Sequence, residues 1–104
     1  MTDPRIMVEI DAAPEVWAQE ADEDLTDEAA DELAEQLADR VRREVPGVEL
    51  SMTRTVRMVA GVSHRIATVR LAEDESPTPQ QQEAMRNLEK QLNTWARRLL
   101  REWE

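Results

Sequence analysis

Two periodicities of apolar residues divide the chain into predicted strands and helices. Apolar and polar residues alternate over residues 6–10, 48–52 and 67–71, which is the period of a half-buried strand. Because Gly61 marks a turn between the second and third of these segments, we expect them to pair as an antiparallel hairpin. The alternation is interrupted at residues 54–58, which indicates either a bulge or a hairpin tip that extends beyond the core.

Spacings of three and four residues predict two helices. The first helix follows Thr26, an N-cap residue, and ends at the Pro-Gly pair of residues 46–47. The second follows Thr78, with Gln81 in the third position of a capping box, and continues as a long C-terminal helix over residues 79–104. The apolar stripes consist of Ala30, Leu33, Ala34, Leu37, Val41 and Val45 in the first helix and Met85, Leu88, Leu92, Trp95 and Leu99 in the second.

The element order β-α-β-β-α predicts an α+β fold, in which a small antiparallel sheet is covered by two helices. Residues 1–104 are predicted to form a single domain, with residues 12–25 as an acidic connector. One hydrophobic core is expected between one face of the sheet and the helices. Its predicted members are Ile6, Val8, Ile10, Leu33, Leu37, Val41, Leu50, Val69, Leu88, Leu92 and Trp95.

Trp17 is the one aromatic residue of the acidic connector. Pro14 can occupy the first position of a short helical turn that carries this indole. The indole then either covers the core of its own domain or anchors a partner protein, and both interpretations are open at this point.

The composition is that of an acidic protein without an apolar run long enough for a transmembrane helix or a signal peptide. The 23 acidic residues exceed the 13 Lys and Arg residues and give a net charge of −10. We therefore expect a cytoplasmic protein. Because this charge repels nucleic acid and anionic lipid at long range, we expect neither sequence-specific nucleic-acid binding nor membrane binding.

Charge is unevenly distributed along the sequence. Residues 1–39 contain 14 acids and one base, residues 40–70 contain seven bases and two acids, and residues 71–104 contain seven acids and five bases. This polarity favours association of the acidic segment of one chain with the basic segment of another, although both segments can also be solvated faces. The basic residues predicted to make the contact lie on or near the hairpin and are Arg54, Arg57, Arg65 and Arg70.

The end of the C-terminal helix supplies a second predicted contact surface. A helix of this length exceeds what a three-stranded sheet needs for cover, so Leu99, Leu100 and Trp103 are predicted to meet another chain. The alternative is a long helix that packs wholly on its own sheet and ends in a frayed turn.

The sequence offers no catalytic, cofactor or metal site. It contains no Cys and one His, and adjacent residues such as Ser63 and His64 point to opposite sides of a strand. The acidic run at residues 22–28 lacks the glycine of a calcium-binding loop, and two glycines are too few for a phosphate loop. We therefore expect a non-enzymatic protein.

The first helix, the charged hairpin with the segment Arg65-Ile66-Ala67-Thr68-Val69-Arg70 and the closing helix together resemble small neck or head-to-tail connector proteins of tailed actinobacterial phages. The resemblance implies a ring-forming virion component between portal and tail, in the host cytoplasm and then in the virion. A second resemblance, to ribosome hibernation factors, includes a segment like Asn87-Leu88-Glu89-Lys90-Gln91-Leu92. Because those factors bind rRNA, the charge of −10 argues against this second resemblance.

Two classes of function follow from the sequence. The first is a structural assembly protein that forms a homo-oligomer or a larger assembly with other protein chains. The second is a small acidic adaptor, antitoxin-like or immunity-like protein that binds a basic partner surface. The oligomeric state separates the two classes.

Overall fold

A mixed three-stranded sheet with helices on one face forms the fold. The computed structural model describes residues 6–21, 23–54, 65–71 and 77–103. This architecture confirms the predicted α+β class and the long C-terminal helix. The elements in chain order are β1 (Ile6–Asp11), α1 (Pro14–Ala21), α2 (Asp27–Glu44), β2 (Glu49–Thr53), β3 (Ala67–Leu71) and α3 (Pro79–Glu102).

The strand order β2-β1-β3 corrects the predicted hairpin. β1 pairs in parallel with β2 and antiparallel with β3, so Val8 lies opposite both Leu50 and Val69. The central strand, β1, is also the most buried one, since its residues Val8 and Ile10 have no exposed surface. The helical connection from β1 to β2 is long enough to bring the chain back parallel to β1. The predicted hairpin tip lies outside the described residues.

The predicted core is confirmed. Val8, Ile10, Leu33, Leu37, Val41, Val69, Leu92 and Trp95 are buried, while Ile6, Leu50 and Leu88 are partly buried and pack against them. α2 packs on β1 and β2, α3 packs on β3, and the two helices contact each other. The helix layer therefore has an α2 edge above β2 and an α3 edge above β3.

Trp17 is a core residue, so of the two interpretations of this indole the structure favours cover of the core of its own domain over a partner anchor. The connector contains α1, and the Trp17 side chain has no exposed surface. Its indole Nε1 donates a hydrogen bond to the Asp11 carbonyl oxygen at 2.6 Å, while Asp11 Oδ1 accepts one from the Ala13 amide at 2.9 Å. The buried indole thus has a polar partner, which is what keeps a Trp stable inside a core.

Both long helices begin where their caps predict. The Thr26 side chain accepts a hydrogen bond from the Ala29 amide at 3.1 Å, and Thr78 forms a reciprocal capping box with Gln81. These contacts satisfy amides that have no partner within the helix. α2 is followed by Gly47 at φ 89°, a left-handed conformation that favours glycine. In the parts of the chain that the structure describes, no helix is long and apolar enough to cross a membrane.

Candidate protein-interaction surface

The structure places three of the four predicted contact arginines, and these three lie on separate surfaces. Arg54, after β2, lies 3.5 Å from Asp31 of α2, and Arg65, before β3, lies 2.9 Å from Glu89 of α3. Arg70 pairs with Glu9 at 2.6 Å on the sheet face away from the helices. Arg57 lies outside the described residues. The arginines do not form one cluster because β1 separates β2 from β3.

A basic surface that includes only Arg65 of these arginines lies at the α3 edge of the helix layer. It is a groove of about 570 Å³ between α3, β3 and the end of α1, and we call it the basic groove. Val69 and Met85 supply apolar surface to it. The charged residues that line it, within the described parts of the chain, are Arg65, Arg86, Lys90, Arg97, Glu20 and Glu89.

Helical spacing explains why the cations of α3 share this groove. Arg86, Lys90 and Arg97 are separated by four and seven residues, so they lie on one side of the helix. Arg97 also lies 3.4 Å from Glu20 of α1. No described carboxylate lies within ion-pairing distance of Arg86 or Lys90, and both side chains are exposed. The spacing of these cations is visible in the sequence, but the packing of their side of α3 beside β3 is not.

Asn93 fixes the inner wall of the basic groove, and sequence analysis did not identify it. Its side-chain oxygen accepts a hydrogen bond from the Ala67 amide at 3.1 Å, and its nitrogen donates to the Ala67 carbonyl oxygen at 3.0 Å. The amide group thus pairs with the edge of β3 as another strand would. Such cover protects an edge from strand addition at that point and holds α3 against β3.

Replacing Asn93 by Ala should lower the free energy of unfolding by about 1–3 kcal/mol, because two partly buried strand groups lose their partner. Thr94→Ala is a matched control on the same turn, since Thr94 is exposed and bonds only its own helix. The control should change stability by less than about 0.5 kcal/mol. Urea unfolding measures the free energy of unfolding of both variants. If Asn93→Ala and Thr94→Ala lower it equally, the Asn93 contact does not hold α3 to β3.

The opposite edge of the helix layer carries the opposite charge. A groove of about 430 Å³ lies beside α2 and β2 there, and we call it the acidic groove. Met52 of β2 also lines it and is 43% exposed. The charged residues that line the acidic groove, within the described chain, are Asp31, Glu35, Asp39 and Arg42.

The end of α3 packs on its own chain. Leu99, Leu100 and Trp103 are partly buried against the hydrophobic core, which agrees with the alternative of a helix packed on its own sheet. Their contact with another chain remains a prediction. Trp103 remains half-exposed beside Leu25 in a third groove of about 400 Å³. The acidic residues that line this Trp103 groove are Glu23, Asp24, Glu28 and Glu32.

No cluster of three or more potential metal ligands occurs in the described residues, and Ser63 and His64 lie outside them. Comparison of the chain with protein-family models, with curated proteins and with solved structures finds no match.

Proposed function

We propose that this chain is a non-enzymatic structural protein that assembles with other protein chains through the basic groove. The observation that carries the proposal is a cationic groove on a chain of net charge −10. Arg86 and Lys90 are held beside the apolar surface of Val69 and Met85 without a described carboxylate partner. Arginine and methionine are enriched in protein interfaces, and cations of this kind favour an acidic protein surface.

The resemblance to phage connector proteins supplies a setting for this proposal. In that setting the chain is part of a ring between portal and tail, first in the host cytoplasm and then in the virion. A ring of identical chains requires two different, complementary surfaces on each copy. The basic groove supplies one such surface.

Charge reversal tests the basic groove. The double variant Arg86→Glu/Lys90→Glu should reduce the molar mass of the assembled protein to that of a monomer, measured by light scattering after gel filtration. Arg98→Glu/Arg101→Glu is the matched control, because it makes the same charge change on the same helix outside the groove. Equal loss of assembly in both variants would attribute the effect to net charge and contradict a role for the groove.

The Trp103 groove favours a second candidate function, an acidic adaptor that binds a basic partner. A half-exposed indole among four carboxylates suits a lysine or arginine side chain, because a cation is attracted both to the ring face and to the acids. In this function the partner, not a second copy, carries the positive charge.

An arginine-rich peptide tests the adaptor function through Trp103 fluorescence. Trp17 and Trp95 are 0% and 7% exposed, so a change on peptide addition reports chiefly on Trp103. Glu28→Lys/Glu32→Lys should weaken peptide binding at least tenfold, because the two carboxylates that attract the cationic peptide beside Trp103 are replaced by cations that repel it. A response that persists in Trp103→Phe would contradict this site.

A further inference from the structure

We infer that the occupant of the basic groove is the acidic groove of a second copy of this chain, so that copies join head to tail. The inference rests on the proposed function, because it names the partner in that assembly. It uses two surfaces at opposite edges of one molecule, the α3 edge above β3 and the α2 edge above β2.

Charge complementarity is the first reason for choosing a second copy. The lining of the basic groove has four cations and two carboxylates among the described residues. That of the acidic groove has three carboxylates and one cation. Arg42 is paired with Asp39 at 2.9 Å, and Arg54 lies 3.5 Å from Asp31, whereas Glu35 has no described cationic partner. Glu35 is therefore well placed to meet Arg86 or Lys90 of another copy.

The apolar residues of the two grooves give the second reason. Among the described residues, Met52 is the one large hydrophobic residue that is exposed rather than buried or partly buried, and it lies in the acidic groove. Met85, which is partly buried, offers apolar surface in the basic groove. Methionine adapts its shape to an irregular partner, so these side chains can pack between the ion pairs. An exposed methionine then becomes covered by assembly.

The α3 edge is comparable in area to a standard protein interface. α3 has 24 residues. A helix of that length is about 36 Å long, and a helix layer on a sheet is about 20 Å thick, which gives an edge of ~700 Å². A standard protein interface buries about 800 Å² on each partner. The α3 edge therefore falls within the range of about 600–1,000 Å² per partner that standard interfaces cover.

Head-to-tail contacts also determine the form of the assembly. Because the contact joins two different surfaces, a joined pair still has a free basic edge on one copy and a free acidic edge on the other, and each can bind a further copy. Such heterologous contacts generate a ring when the rotation closes and a filament when it does not. The net charge of −10 opposes approach at long range, but salt at about 0.1 M screens interactions beyond about 10 Å and leaves the groove contacts dominant.

Complementary charge reversal tests the pairing directly. Variant one is Arg86→Glu/Lys90→Glu, and variant two is Asp31→Lys/Glu35→Lys, all at exposed positions. Each variant alone should have the molar mass of a monomer where the wild type is assembled. An equimolar mixture should recover the wild-type mass, because every edge then meets an edge of opposite charge. Circular dichroism checks that each variant folds. A charge reversal that does not fold is replaced by the variant that only removes the charge, Arg86→Gln/Lys90→Gln or Asp31→Asn/Glu35→Gln.

Glu44→Lys/Glu102→Lys is the matched control for variant two, since it makes the same charge change at exposed helix positions outside the basic, acidic and Trp103 grooves. It should keep the wild-type mass. If variant two also keeps the wild-type mass, or if the mixture stays monomeric, the pairing of the two grooves is wrong while assembly itself stands. A wild-type chain that is monomeric under all conditions contradicts the proposed function as well.

Discussion

Replacing Trp17 by Ala should lower the free energy of unfolding by about 3–5 kcal/mol, the cost of removing a large buried aromatic side chain. The indole has no exposed surface and also donates a hydrogen bond to the Asp11 carbonyl oxygen. Its loss leaves both a cavity between α1 and the remaining core and an acceptor without its donor. Denaturant unfolding followed by circular dichroism measures the change.

Trp17→Phe helps to separate the two causes, because it removes the donor but keeps most of the apolar volume. It should cost less than Trp17→Ala by about 2 kcal/mol or more. A loss below about 1 kcal/mol for Trp17→Ala would mean that the indole lies outside the core.

Truncation of Leu37 or Leu92 to Ala should cost about 2–5 kcal/mol each. Both leucines have no exposed surface, one in α2 and the other in α3, and together they represent the two helices that cover the sheet. Leu88→Ala is the control on α3, because Leu88 is only partly buried and should lose less. If Leu88→Ala costs more than Leu92→Ala, α3 is rotated relative to the core described above.

Local sequence signals predicted the elements better than their arrangement. Thr26 and Thr78 predicted where the helices begin, because capping is a contact between residues three apart in the sequence. The spacing of apolar residues predicted which helix faces are buried. Strand pairing is a contact between distant residues. The alternation of β2 and β3 is equally compatible with pairing to each other or to β1, so the hairpin prediction had no support beyond proximity in the sequence.

Trp17 and Asn93 illustrate the same limit at the level of single side chains. Trp17 stands in an acidic segment, and only the hydrogen bond to Asp11 and the contact of α1 with α2 and α3 explain its burial. Asn93 is a polar residue on a helix, and such a residue ordinarily faces solvent. Its role depends on the edge of β3 lying beside it, a fact that no local pattern encodes.

The charged surfaces of the molecule lie at other positions than the sequence predicted. Uneven charge along the sequence predicted association of acidic with basic surfaces, and this remains a proposal. The sequence placed the basic surface on a hairpin around Arg54 and Arg65, whereas the strand order separates these residues. The cations of α3, Arg86 and Lys90, share a groove because helix periodicity and the packing of α3 on β3 act together.

The molar mass of the wild-type chain in solution tests the proposed assembly most directly. The chain has a mass of 12.0 kDa. Light scattering over a range of protein concentrations at about 0.1 M salt should give a mass several times larger. Raising salt to about 0.5 M should reduce that mass, because the groove contacts are exposed charge pairs. A mass of 12.0 kDa at every protein and salt concentration would contradict assembly through the two charged grooves.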